Sequence, residues 1–206
     1  MRKLFTLALA LVAGISFAFA QQVSEGQVTI LKTNVNGFTI NIPNVDSKAA
    51  DAAVTEFLAE KGLVKPKNED KYNAYKAQKC SYIGDGTYDI YFKAVQKGKK
   101  KDLSSDIIFI CSLGNLNTIS SVNNPDAAEN IKVLMAKFTK AVEKYQLKQK
   151  IEDLKKEIEK ANKEKAKNDK EIKKLQEKIA KATDKHKGLN TQLEDANNML
   201  KNFTID

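Results

Sequence analysis

Arginine, histidine and tryptophan are nearly missing from this chain. Its 206 residues include one arginine, Arg2, one histidine, His186, and no tryptophan. A lone histidine, placed in the tail described below, excludes a catalytic triad or a histidine-rich metal site within one chain. No G-x-S-x-G, H-E-x-x-H, Walker or G-x-G-x-x-G motif is present. Without arginine beyond position 2, the fork that reads guanine and clamps phosphate is absent, which argues against specific nucleic-acid binding. Prolines number three and cysteines two.

Long apolar runs are also scarce. The one such run is Leu4 to Phe17, preceded by Arg2 and Lys3 and followed by "AFA" at 18–20. That pattern predicts an export signal over 1–20, cut before Gln21. The run is shorter than the roughly 20 residues of a spanning helix, although an uncleaved anchor is the alternative. Nothing later is apolar enough to span a bilayer, so the mature chain is expected to be exported, periplasmic or secreted. It carries 33 lysines against 26 acidic residues, a net +7. Cys80 and Cys111 both fall in predicted strands. Export permits a disulfide between them, and a pair of buried thiols is the other reading.

Residues 23–145 read as one small α+β domain. "VTILKTNVNGFTINIP" predicts a hairpin turning at Asn36-Gly37, with Leu31 and Val35 on one face beside Phe38, Ile40 and Ile42. Asp46 or Ser47 caps a helix whose stripe is Ala50, Val54, Phe57 and Leu58, closed by Gly62. "KAQKCSYI", "TYDIYFKAV", "DIIFICSL" and "NTISSV" follow as a meander. Tyr88, Ile90, Phe92 and Ala94 share one side, and "DIIFICSL" is the central, doubly covered strand. "GDG" at 84–86 is a turn. Asn124-Pro125-Asp126 starts a second helix with the stripe Ile131, Met135, Phe138, Val142 and Tyr145. Two amphipathic helices suffice to cover one face of such a sheet.

"GFTINIPNVDSKAADAAVTEFLAEKGL", then the meander and a Lys/Glu-rich tail, resembles exported Bacteroidota proteins of unassigned function. Their strand-helix-meander-helix order is similar to the TATA-binding-protein-like fold. The resemblance covers the layout of the mature chain, implies no activity and transfers no functional residue.

Residues 146–206 form a lysine-rich tail. "IEDLKKEIEKA" at 151–161 returns as "IKKLQEKIAKA" at 172–182, three heptads later. A seam runs at alternating steps of three and four: Ile151, Leu154, Ile158, Ala161, Lys165, Asn168, Ile172, Leu175, Ile179, Ala182, His186, Leu189, Leu193, Ala196, Leu200 and Phe203. Thirteen of these sixteen are apolar, and the strict 3.5-residue period predicts a left-handed coiled coil. One long helix is expected, with a kink at Gly188 as a qualification. An antiparallel hairpin, helped by the small Ala161, Ala182 and Ala196, is the runner-up, with candidate breaks in the stretch around Lys165 and Asn168 and at Gly188, where Thr191 and Glu194 would cap a new helix; a solvated single helix is the third reading. Self-association through the coil makes a homo-oligomer the expected state.

The remaining chemistry is sparse. Asp85, Asp89 and Asp106 are carboxylates in the sheet region, and catalysis by such a pair is the reading against which a non-enzymatic role, with no cofactor and no metal, is set. Lys93, Lys97, Lys99, Lys100 and Lys101 cluster towards a hairpin tip as a charged loop or as a contact for anionic envelope lipid or glycan. Residues 144–187 hold 16 lysines and 9 acidic residues, a solvated surface or a second such contact. The chain therefore reads as an exported α+β binding domain on an oligomerising stalk. The competing reading is a ligand-binding module or enzyme with a pocket between sheet and helices.

Overall fold

The structure, a computed structural model, describes residues 22–63, 66–99 and 102–203. The predicted export signal lies outside these residues, as do Lys100 and Lys101. The chain divides into two units, Met1–Lys148 and Gln149–Asp206. Its elements in order are β1 (Ser24–Ile30), β2 (Thr33–Pro43), α1 (Ser47–Glu60), β3 (Lys67–Glu69), β4 (Tyr72–Lys79), β5 (Thr87–Lys97), β6 (Ser104–Ser112) and α2 (Pro125–Phe203). The strands form one antiparallel sheet in the order β1-β2-β6-β5-β4-β3, so the fold is α+β.

The hairpin turn is not at Asn36-Gly37. It falls at Leu31-Lys32, with φ of 50° and 61°, the paired left-handed values of a type I′ turn. Asp70-Lys71 makes a second such turn between β3 and β4, with φ of 51° and 65°. Gly37 lies inside β2 opposite Gly26. It is glycine for a packing reason, since a Cβ there would sit 2.6 Å from Val28 Cγ2 and 3.3 Å from Ile110 Cγ1. The shifted turn also moves Val35 to the other sheet face from Phe38, Ile40 and Ile42. Leu31 is left exposed in the turn.

The meander differs at both ends. Its first strand begins at Tyr72 rather than Lys76, and β3 precedes it. A bulge at Lys76 and Ala77, the latter at φ 50°, breaks the alternation on which sequence pattern relies. "NTISSV" makes a single bridge, Ser112 to Thr118, and no strand. "DIIFICSL" is central as expected, with β2 and β5 on either side. Gly84 and Gly86 leave room for the Tyr88 hydroxyl, which accepts from the Gly86 N–H.

Both helices start where their caps dictate, and α1 also ends at one. Asp46 accepts from the Ala49 N–H at 2.9 Å. Gly62, at φ 86°, donates to Ala59 O while the Leu63 N–H reaches Leu58 O, a Schellman closure. Asn124 caps α2 through Ala127 N–H, and Pro125 occupies the first helical position. The main core lies between one sheet face, α1 and the first turns of α2. Ile131, Met135, Phe138 and Val142 are buried there against Val54, Leu58, Ile107 and Phe109. Phe138 meets Phe57 edge-on at 5.6 Å and Phe109 at 6.0 Å.

The opposite sheet face carries its own smaller core, buried without a helix. Ile30, Val35, Tyr72, Ala74, Tyr91 and Ile110 are all buried there. The two edge hairpins meet over it. Leu31 N–H donates to Asp70 Oδ2 at 2.6 Å, and the Tyr72 hydroxyl donates to Thr29 O at 3.0 Å. Lys93 Nζ lies 4.0 Å above the Tyr72 ring, a cation–π contact. Lysine stems cover aromatic surface while their charges stay in water.

Within the second unit, residues 149–203 are helical without interruption through Gly188. The intrachain hairpin does not occur. Thr191 Oγ1 bonds back to Lys187 O at 3.2 Å, the mid-helix habit of threonine, instead of capping a new helix. Glycine is tolerated in a helix interior at a cost of roughly 1 kcal/mol relative to alanine.

Candidate functional site

The helical tail offers the largest candidate surface. Every residue from 147 to 201 is exposed in the single chain. Ile151, Leu154, Ile158, Ile172, Leu175, Ile179, Leu189 and Leu193 therefore line one ridge, with 39 to 64 % of each side chain's reference area in water. Ala161, Lys165, Asn168, Ala182 and His186 complete it. His186 Nδ1 lies 3.4 Å from Asn190 Nδ2, one turn away. The helix surface beside the ridge is tied by lysine–carboxylate pairs three or four residues apart, such as Lys163–Glu159 at 2.6 Å.

A second surface went unnoticed in the sequence. β2 and β6 pair only as far as Phe38–Phe109, where their ladder ends. A tight turn at Asn115-Leu116, with φ of 50° and 57°, lies beyond it, and Thr118 Oγ1 accepts from the Asn36 N–H at 3.2 Å. An open groove of about 520 Å³ remains. Its walls are mostly amides and hydroxyls, with Asn34 and Asn36 on one side, Asn115, Asn117 and Asn123 on the other, Val35 and Leu116 as apolar patches, and no charged group. β1 fixes two of these amides. Thr29 Oγ1 donates to Asn34 Oδ1 at 2.8 Å, and Gln27 Nε2 donates to Asn36 Oδ1 at 2.6 Å. The remaining signal was the asparagine density of "GNLNTISSVNN", which has the composition of turns and reads as nothing more.

A third opening lies between α1 and the first turns of α2, lined by Phe57, Ala141 and Tyr145. Its volume is about 40 Å³, the space of about one water molecule. Lys144–Glu60 at 2.9 Å and Lys148–Glu56 at 2.7 Å bridge its rim. The bond from Lys144 holds the Glu60 carboxyl below its ordinary value, and the bond to Glu56 raises Lys148.

The structure separates Asp89 from Asp106, while Asp85 lies in the turn before β5. Asp89 accepts from Ala77 N–H near the Ser112 end of β5. Asp106 accepts from Asn41 and pairs with Lys97 at 3.5 Å, towards the opposite end of that ladder. Among the described residues no group of three or more histidine, cysteine or carboxylate side chains converges to hold a metal. The lysine cluster is also divided. Lys93 covers Tyr72 in mid-strand, Lys97 is paired with Asp106, and Lys99 is exposed near the turn. Cys80 and Cys111 are free and buried. Burial pushes both thiols up, Cys111 the further, with Cys80 adding to it. No helix among the described residues is long and apolar enough to cross a membrane.

Comparison with protein-family models, with curated proteins and with solved structures finds no match for this chain.

Proposed function

We propose that this chain is an exported, non-enzymatic envelope protein that self-associates through its helical tail and presents the α+β unit as a binding module. The exposed apolar ridge carries the proposal. Each of these large side chains, about half in water, forgoes about 1–2 kcal/mol of burial, and a solitary solvated helix has no use for a seam that keeps phase over sixteen positions, thirteen of them apolar. A covering helix recovers that energy. The sixty-residue tail then sets spacing and stoichiometry.

The binding module engages its target through surface. The gap between the helices admits about one water, which favours surface contact over an enclosed ligand. The amide-lined groove suits a neutral, hydroxyl-rich ligand, and exposed lysines such as Lys99 suit anionic lipid or glycan. The reading is tested by sedimentation of the mature chain beside a chain ending at Lys148. The mature chain should run as a dimer or larger and the shortened one as a monomer. Two monomers refute the self-associating tail.

A further inference from the structure

We infer that the tail pairs with a second copy of itself in antiparallel orientation, in one register, with Ile172 of each chain packed against Leu175 of the other. The inference rests on the self-association proposed above and specifies its geometry. In a coiled coil the ridge fixes that helices pair, and the flanking charges and polar layers fix how. Isoleucine takes half of the first seam positions, at Ile151, Ile158, Ile172 and Ile179. Leucine recurs at the second, as at Leu154, Leu175 and Leu189. In parallel coils that combination favours two strands, so it bears on the number of helices and leaves their direction to the polar layers and the flanking charges.

Parallel pairing in register brings like onto like. Lys165 would face Lys165 and His186 would face His186 in the seam. Ala161 would face Ala161, and Ala182 would face Ala182, leaving voids between bulky layers. The flanks would oppose Lys150 to Lys155 and Glu164 to Asp169. No opposite charges would meet there between Lys150 and Asn197.

Antiparallel pairing reverses each of these faults. With Ile172 on Leu175, Ile158 packs on Leu189 and Leu154 on Leu193 of the second copy. Leu147 packs on Leu200 at the ends. Lys165 falls opposite Ala182, and His186 opposite Ala161, so each long polar side chain meets the smallest seam residue and has room to reach water. Asn168 opposite Ile179 is the mismatched layer. Along the flank, Glu171 meets Lys178 and Glu164 meets Lys185, each twice by symmetry, with no like charges opposed. Sliding by one heptad in one direction sets Glu171 against its own copy and Lys165 against Leu175. Sliding in the other sets Lys178 against its own copy and Lys165 against Leu189. The register is therefore singled out by charge and by side-chain size together.

The two Leu147 residues of such a dimer lie roughly 80 Å apart along the coil at 1.5 Å per residue, whereas a parallel pair holds them within about 10 Å. The test uses full-length mature chains carrying Ala161→Cys or His186→Cys, with the native cysteines protected by burial. Mild oxidation of an equal mixture should yield the mixed 161–186 disulfide, and neither variant alone should cross-link. The mass of the unoxidised chains is measured alongside. A dimer in which Ala161→Cys links to itself, or in which no mixture links, overturns the antiparallel register while leaving self-association intact. A monomeric mass overturns both.

Discussion

Replacing Gly37 by alanine tests whether the first hairpin turns at Leu31-Lys32. The new methyl would sit 2.6 Å from Val28 Cγ2, 3.3 Å from Ile110 Cγ1 and 3.4 Å from the Phe109 carbonyl oxygen. Favourable carbon contacts lie near 3.5–4.0 Å, so the overlap with Val28 is about 1 Å. Val28 is β-branched and stiff about χ1, and Ile110 is fully buried. Neither swings aside without strain. Overpacking of this kind costs about 1–3 kcal/mol, and Gly37→Ala is expected near 2. Val28→Ala removes the clashing methyl, so on that background Gly37→Ala should cost less than about 1 kcal/mol. The coupling of about 1–2 kcal/mol is typical of residues in contact. Denaturant unfolding of all four proteins measures it, as a midpoint shift at constant slope. A glycine at the tip of an Asn-Gly turn would also resist alanine, because of its positive φ, but Val28→Ala would give no relief. Equal costs in the two backgrounds would refute the strand assignment.

Four further outcomes follow from the same structure. Ile158→Asp with Ile179→Asp should dissociate the tail and lower its helicity; these side chains are 59 and 64 % exposed in the single chain, so covering the rest is worth about 1–2 kcal/mol each per chain, read by sedimentation and circular dichroism. Glu171→Lys should weaken self-association several-fold at low salt, and adding Lys178→Glu should restore it, since each exposed pair contributes about 0.2–1 kcal/mol. Native protein at pH 8 should resist iodoacetamide and take up two labels after denaturation; the raised thiol pKa values stabilise the fold fully below about pH 9, and that contribution is lost as pH rises further. Tyr75→Phe should be neutral or stabilising by up to about 1 kcal/mol, because the Tyr75 hydroxyl is buried without a well-formed hydrogen bond and desolvation pushes it up to about 12; a loss above 1 kcal/mol would contradict this.

Legibility followed the physics of each signal. Caps announced both helices, because Asp46, Gly62 and Asn124-Pro125 act through local backbone geometry. Helical periodicity then placed Val54, Leu58, Ile131 and Phe138 in the core. The central strand was visible because burial on both faces forces a continuous apolar run. Turns were less legible. Leu31-Lys32 and Asp70-Lys71 adopt left-handed φ without glycine, held by the contact between the two hairpins, and such support is tertiary. Asn36-Gly37 carried the stronger local signal and was overridden by packing at Gly37. The amide groove depends on Asn34 and Asn115 meeting across 81 positions, which pattern in one sequence does not encode. The ridge from Ile151 to Leu193 was fully legible as a period, and its partner was not, because exposure in one chain describes only one side of a contact.

Amide hydrogen exchange along residues 149–200, followed against protein concentration, tests the covered ridge most directly. A paired tail should protect its backbone at Ile158, Ile172, Ile179 and Leu189, and the protection should deepen as concentration rises, because opening there requires dissociation. Rapid exchange at those positions, unchanged across a hundredfold concentration range, would mean the ridge stays in water and would contradict the account.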